Sequence, residues 1–94
     1  MSAMIYEVFY SGSFKRDVKR CQKRGLDLSL LQEVVDILRT TGSLPAKYHP
    51  HRLSAQYAGY WEAHIQPDWL IVWEQNDNKL YMLFTKTGTH SDIF

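Results

Sequence analysis

The chain has 94 residues, 45% hydrophobic and 14% aromatic, which is enough for one globular domain over residues 1–94 and too apolar for a disordered segment. Eleven Lys and Arg against ten Asp and Glu leave a formal net charge of +1, so no global field marks a nucleic-acid or membrane binder. No run approaches the roughly 20 apolar residues of a membrane span, Met1–Tyr10 lacks a basic region followed by an apolar stretch, and the lone Cys21 cannot close an internal disulfide; a cytoplasmic location is expected.

Ile5–Tyr10 alternates branched or aromatic residues with others and reads as a short strand, with Met4 an alternative native start behind Met1–Ala3. Ser13 is the expected N-cap of a first helix on which Phe14, Val18 and Cys21 recur at helical spacing, and Gly25 ends it. Cys21 sits on that apolar stripe and is expected to be buried. The other side is strongly basic: Lys15, Arg16, Lys19, Arg20, Lys23 and Arg24 stand against Asp17 alone, a concentration of charge that the neutral total conceals.

Ser29 with Gln32 reads as a capping box opening a second helix, buried along Leu31, Val34, Val35 and Leu38 and stopping before Gly42. Leu44–Pro50, with two prolines, is too irregular for either period and reads as a loop. Strands are then predicted near Arg52–Ser54 and over Tyr60–Gln66, Leu70–Gln75 and Leu80–Lys86, with turns at Gln66–Trp69 and Asn76–Asn78. Such short turns imply an antiparallel meander, and the apolar run Trp69–Trp73 suits a covered central strand. The predicted fold class is α+β, a helical hairpin on a sheet in the order β-α-α-β-β-β-β. Beyond Gly88, which permits a bend, the pattern leaves the tail to Phe94 undefined.

The meander carries a geometric consequence. Antiparallel strands put the start of one beside the end of the next, so His51, His64, Asp68, Lys86 and His90 should gather at one end of the sheet. Period-two alternation places His64 with Tyr60 and Glu62, away from Trp61, Ala63 and Ile65. Cleaving RNA without a metal needs a base for the 2′-hydroxyl, a positive group for the phosphate and an acid for the departing 5′-oxygen, and histidines, a carboxylate and an ammonium supply all three. Trp69, beside the turn, is a candidate for stacking an unpaired base. His49 and His51 lack the cysteine or acidic cluster that would complete a zinc site, so His49 reads as a surface residue, and Trp61 and Trp73 read as core.

The stretch from His51 through AGYWEAHIQPDWLIVWE to TKTGTH and Phe94, behind a strand and a basic helix, resembles the YafQ branch of the RelE-like toxins. The resemblance covers nearly the whole chain, and its specific pieces are AHIQPDW and TGTH in that order and separation. It implies a microbial RNase fold, metal-independent and cofactor-free cleavage of mRNA on the ribosome, and inhibition by a dimeric ribbon-helix-helix antitoxin of the DinJ or RelB kind, with operator DNA reached only through that complex and no membrane partner. It places catalytic positions at His51, His64, Asp68, Lys86 and His90 and substrate contacts at Trp69 and Phe94, with His90 as the general acid and Asp68, aided by His51 or His64, removing the 2′-proton. Lys86 departs from the pattern, since similar toxins carry arginine there; lysine keeps the charge and loses the two-pronged grip on phosphate. On this reading Lys15, Arg16, Lys19, Arg20, Lys23 and Arg24 meet ribosomal RNA through its phosphates. The alternatives are a non-catalytic protein of the same fold acting through antitoxin and nucleic-acid binding, and a metal hydrolase favoured only by the number of histidines.

Overall fold

The computed structural model describes residues 5–94; the alternative start at Met4 lies outside them. The chain runs β1 (Glu7–Tyr10), α1 (Gly12–Lys23), α2 (Leu28–Thr41), β2 (His51–Arg52), β3 (Tyr60–Gln66), β4 (Trp69–Asn76), β5 (Tyr81–Gly88) and α3 (His90–Ile93), with 3-10 turns at Ala46–Tyr48 and Ala55–Tyr57. The α+β architecture is as expected: two helices lie on one five-stranded sheet of order β1-β5-β4-β3-β2. β1 pairs with β5 in parallel, while the meander pairs are antiparallel. The parallel edge follows from the connectivity, because the helical hairpin carries the chain from one edge of the sheet to the other and the meander then walks back until β5 reaches β1.

Helix α1 is capped two residues earlier than the expected Ser13. Ser11 is the N-cap: its Oγ accepts from the Phe14 N–H at 3.0 Å and its hydroxyl donates to the Thr85 carbonyl at 3.1 Å, so the cap is tied to β5 as well. Phe14 and Cys21 are buried as predicted, and Asp17 is buried with them. Asp17 Oδ2 accepts the Thr87 N–H at 3.2 Å, serving a β5 donor beyond the last residue paired with β1. Helix α2 is likewise capped earlier than expected: Asp27 accepts from Ser29 N–H, and Ser29 already lies inside the helix. Gly42 closes it at φ +77°, where an added Cβ would stand 2.6 Å from the Tyr6 hydroxyl.

The helix-facing side of the sheet packs Trp69, Ile71, Trp73, Met82, Phe84 and Ala63 against Phe14, Cys21, Leu31, Val34, Val35 and Leu38. Trp69–Trp73 is buried at all five residues because the opposite face of β4 is covered too: Leu70, Val72 and Ile93 form a second cluster with Leu53 and Tyr60 against it. Trp61 stacks on Trp73 at 6.2 Å, a packing role for both, as read from the pattern. Among the described residues no helix is long and apolar enough to cross a membrane.

The segments read only as loops acquire form from tertiary contact. Leu44 and Tyr48 bury themselves in the expected loop, and the tail after Gly88 folds into α3, capped by Thr89 with a reciprocal Asp92 bond. The strand expected over Arg52–Ser54 starts at His51 and ends at Arg52, with the Leu53 N–H still bonded to the Tyr60 carbonyl at 2.9 Å.

Candidate active site

The strand register fixes two rows across the open face. In one, His51 pairs with Glu62, Glu62 with Val72, and Val72 with Lys86; in the next, His64 pairs with Leu70 and Leu70 with Gly88, two residues before His90. Adjacent strands lie about 4.8 Å apart, so the His64 and Gly88 backbones are about 10 Å from each other. Asp68 occupies the β3–β4 turn at the same end. The register therefore places His51, Lys86, His64 and the approach to His90 in two adjacent rows, with Asp68 in the turn beside them.

Lys86 reaches that face through an irregularity. Trp73 pairs with Phe84 but Val72 with Lys86, so Thr85 is an extra residue on β5, and its hydroxyl donates to the Val72 carbonyl at 3.1 Å. Strict alternation would have sent Lys86 inward with Phe84; the bulge re-aims it outward. There it lines a cleft of about 220 Å³ with Tyr57, Tyr60, Val72, Ile93 and Phe94. His64 instead forms the wall of a separate depression of about 570 Å³ with His49, Tyr48, Lys47 and Gln66. His51 and Asp68 line neither.

The two sheet-borne histidines have opposite hydrogen-bonding states. His51 Nδ1 lies 3.0 Å from the His49 carbonyl and its Nε2 3.1 Å from Glu62 Oε1, so each nitrogen faces an acceptor. His64 Nδ1 lies 3.2 Å from the Pro67 carbonyl, which can only accept, so a ring hydrogen sits on Nδ1, and no described residue hydrogen-bonds Nε2. His49, read as a plain surface residue, orients both: its carbonyl holds His51, and its ring meets the His64 ring edge-on at 5.9 Å.

α3 presents the remaining groups. The His90 and Phe94 rings are 5.0 Å apart, and Phe94 meets Tyr57 edge-on at 5.0 Å, so Phe94 stands between the acid candidate and the roof of the Lys86 cleft. Gly88 enters the turn at φ +148°, and an added Cβ would lie 2.7 Å from Asp92 Oδ2. The Asp92 carboxyl is held far below the usual carboxylate range, first by the Arg24 guanidinium and then by the Thr89 N–H. Among the described residues, no three or more His, Cys, Asp or Glu converge to hold a metal ion.

One expectation needs correction. Trp69 is not an exposed stacking platform: it is 2% exposed in the core, and its indole N–H donates to Thr87 Oγ1 at 2.9 Å. A tryptophan opening a central strand falls on the packed face, which its position beside a turn did not reveal. The basic helix divides its cations between two surroundings. Its cations form two stripes at i, i+4 spacing; Lys15, Lys19 and Lys23 are exposed, whereas Arg20 contacts Asp17 at 3.1 Å and Arg24 forms a two-pronged pair with Asp92 at 2.5 and 3.2 Å. Arg20 and Arg24 are thus engaged with the protein itself. Glu62 and Asp92, which the sequence reading passed over, each left a signal: Glu62 shares the His64 face by alternation, and Thr89-x-x-Asp92 has capping-box spacing.

A family model described as the bacterial toxin of type II toxin-antitoxin systems, YafQ, matches residues 6–94. The mRNA interferase toxin YafQ of Escherichia coli strain B / BL21-DE3 is 39% identical over 89 residues, covering 94% of this chain and 95% of that protein. The crystal structure of YafQ from E. coli BL21(DE3) superposes with a TM-score of 0.87 at 37% identity, covering 95% of this chain and 98% of that one. YafQ in the E. coli DinJ-YafQ toxin-antitoxin complex gives 0.86 at 36% identity, with coverage of 95% and 97%.

Proposed function

The chain belongs to the YafQ family of type II toxin-antitoxin toxins, and from that premise we propose that it is an mRNA interferase: a single-domain endoribonuclease over residues 1–94 that cuts mRNA on the ribosome in the cytoplasm, without a metal or cofactor. Its partner is a DinJ-like antitoxin, as the DinJ-YafQ complex of the E. coli relative supports, and operator DNA is reached through that complex.

The reading is supported by the His64–Leu70–Gly88 row, which puts His64 and the entry to the His90 turn on strands either side of Leu70. In the proposed reaction His64 Nε2 removes the 2′-proton, the 2′-oxygen attacks phosphorus, and the P–O5′ bond breaks as His90 protonates the departing oxygen. The products are a 2′,3′-cyclic phosphate and a 5′-hydroxyl. His64 is favoured over His51 as base because no described residue hydrogen-bonds its Nε2, while both His51 nitrogens are engaged. Lys86 supplies positive charge toward the phosphate, His51, held against Glu62 and the His49 carbonyl, orders the β2 side of the site, and Asp68, exposed in the turn, supports the base. Phe94 contacts the substrate base. The exposed stripe Lys15, Lys19 and Lys23, with Arg16, meets ribosomal phosphate.

Expression of wild type and His90→Ala in a bacterium lacking the antitoxin tests this. Wild type arrests growth and fragments ribosome-bound mRNA, and His90→Ala relieves both with the fold intact by circular dichroism. Growth arrest by His90→Ala equal to wild type would sink the nuclease reading in favour of a non-catalytic protein of this fold.

A further inference from the structure

α3 is a four-residue turn, far too short to hold its own place, yet it carries the proposed acid. Its capping box orders the turn internally, and Ile93 packs its far end on Leu70 and Val72 of the sheet. A relay of charges from α1 adds a second tether at the end that carries the acid. The Thr87 N–H on β5 is accepted by Asp17, Asp17 pairs with Arg20 at 3.1 Å, and Arg20 reaches Asp92 Oδ1 at 3.9 Å. Arg24 completes it with two bonds to the same carboxylate, at 2.5 and 3.2 Å. Asp92 also accepts the Thr89 N–H at 2.9 Å, next to His90, so one carboxylate joins the basic helix to the residue preceding the acid.

We infer that the Arg24–Asp92 pair, supported by Arg20, is a positioning device that sets the His90 imidazole and the Phe94 ring against the sheet-borne half of the site. This deepens the nuclease reading and rests on it. Arg24 and Asp92 are positioning residues and touch no substrate. The alternative role for Arg24, a phosphate contact during ribosome docking, makes the opposite forecast for Asp92: removing that carboxylate would free the guanidinium and tighten ribosome binding.

The test uses the purified full chain and programmed ribosomes, comparing wild type with Asp92→Asn, Arg24→Gln, Arg24→Lys and the Arg24→Gln/Asp92→Asn double variant. Asp92→Asn keeps an acceptor for Thr89 and removes the charge. At saturating ribosomes its single-turnover cleavage rate should fall between about tenfold and 100-fold, as misplacement by about 1 Å can cost on the order of 100-fold. The ribosome concentration at half-saturation should stay within about twofold. Arg24→Gln should match it, Arg24→Lys should recover part of the rate, and the double variant should lose no more than either single one. A wild-type rate for Asp92→Asn, or tighter ribosome binding at unchanged rate, overturns the inference. An NMR comparison of the His90 and Phe94 ring resonances is independent of nuclease activity: they should move in Asp92→Asn, and unmoved resonances overturn the positioning role even if wild type proves inactive on ribosomes.

Discussion

His51 Nε2 stands 3.1 Å from Glu62 Oε1, and it bridges a half-exposed ring to a carboxylate whose side chain is 8% exposed. The other oxygen, Glu62 Oε2, is buried with no hydrogen-bond partner among the described residues. His51 is therefore the partner that makes a buried carboxylate tolerable. His51→Ala should destabilise the fold by about 1–3 kcal/mol, the cost of an unsatisfied buried group, in addition to lowering cleavage. Glu62→Gln in the His51→Ala background should restore most of that stability and none of the activity. Urea unfolding of the two variants checks this; equal midpoints for wild type and His51→Ala would count against it.

Trp69 separates a packing role from a stacking role. Trp69→Ala should cost about 3–5 kcal/mol, as for other large aromatic truncations in a core. Trp69→Phe should cost far less, chiefly the bond to Thr87 Oγ1, with cleavage at saturating ribosomes close to wild type. A Trp69→Phe protein of normal stability but with strongly reduced cleavage would restore the base-contact reading.

Much of the fold could be read because its determinants are local. Phe14 and Cys21 on α1, the Leu31–Leu38 stripe on α2 and the apolar run of β4 each announce their buried face by period alone. The rows in which His51, Lys86 and His64 fall were readable for the same reason, since turn positions order an antiparallel meander. The features that escaped depend on partners distant in sequence. Lys86 faces outward only through the Thr85 bulge, Ser11 caps α1 while bound to Thr85, and the exposed Arg24 is paired with a residue 68 positions away. No periodicity within a segment encodes such partners.

Charge reversal on α1 should divide along the two stripes. Glutamate at Lys15, Lys19 and Lys23 should weaken ribosome binding steeply in low salt and flatten its dependence on salt, by a slope of roughly 0.7–0.9 for each phosphate that is no longer neutralised, with the saturating rate unchanged. Filter binding across a salt series measures it. Unaltered binding by the triple variant would remove these lysines from the docking surface.

Cys21 should be chemically silent in the native protein. It is fully buried on α1, and burial raises its thiol pKa above the ordinary value, so little thiolate forms at neutral pH. Iodoacetamide should label it only after denaturation; rapid labelling of folded protein at pH 7.5 would show that α1 opens from the sheet.

Acid should attack two anchor points together. Asp77 is held below the ordinary carboxylate range, first by the Gln75 amide and then by the Tyr6 hydroxyl, whose oxygen lies 2.7 Å away; Asp92 is held lower still by Arg24. A carboxyl depressed in the folded state binds protons more readily when unfolded. Its stabilising contribution is thus complete above its unfolded pKa of about 3.9 and drains away as pH falls from there through the folded value. Stability by urea titration should be insensitive to these two groups between pH 7 and pH 5 and decline below about pH 4. Asp77→Asn should already be weaker than wild type at pH 6, because Asn cannot carry the charge that Gln75 and Tyr6 favour, and should lose less on going to pH 3. An equal loss in both proteins over that interval would mean that the Tyr6–Asp77–Gln75 contact contributes nothing to acid sensitivity.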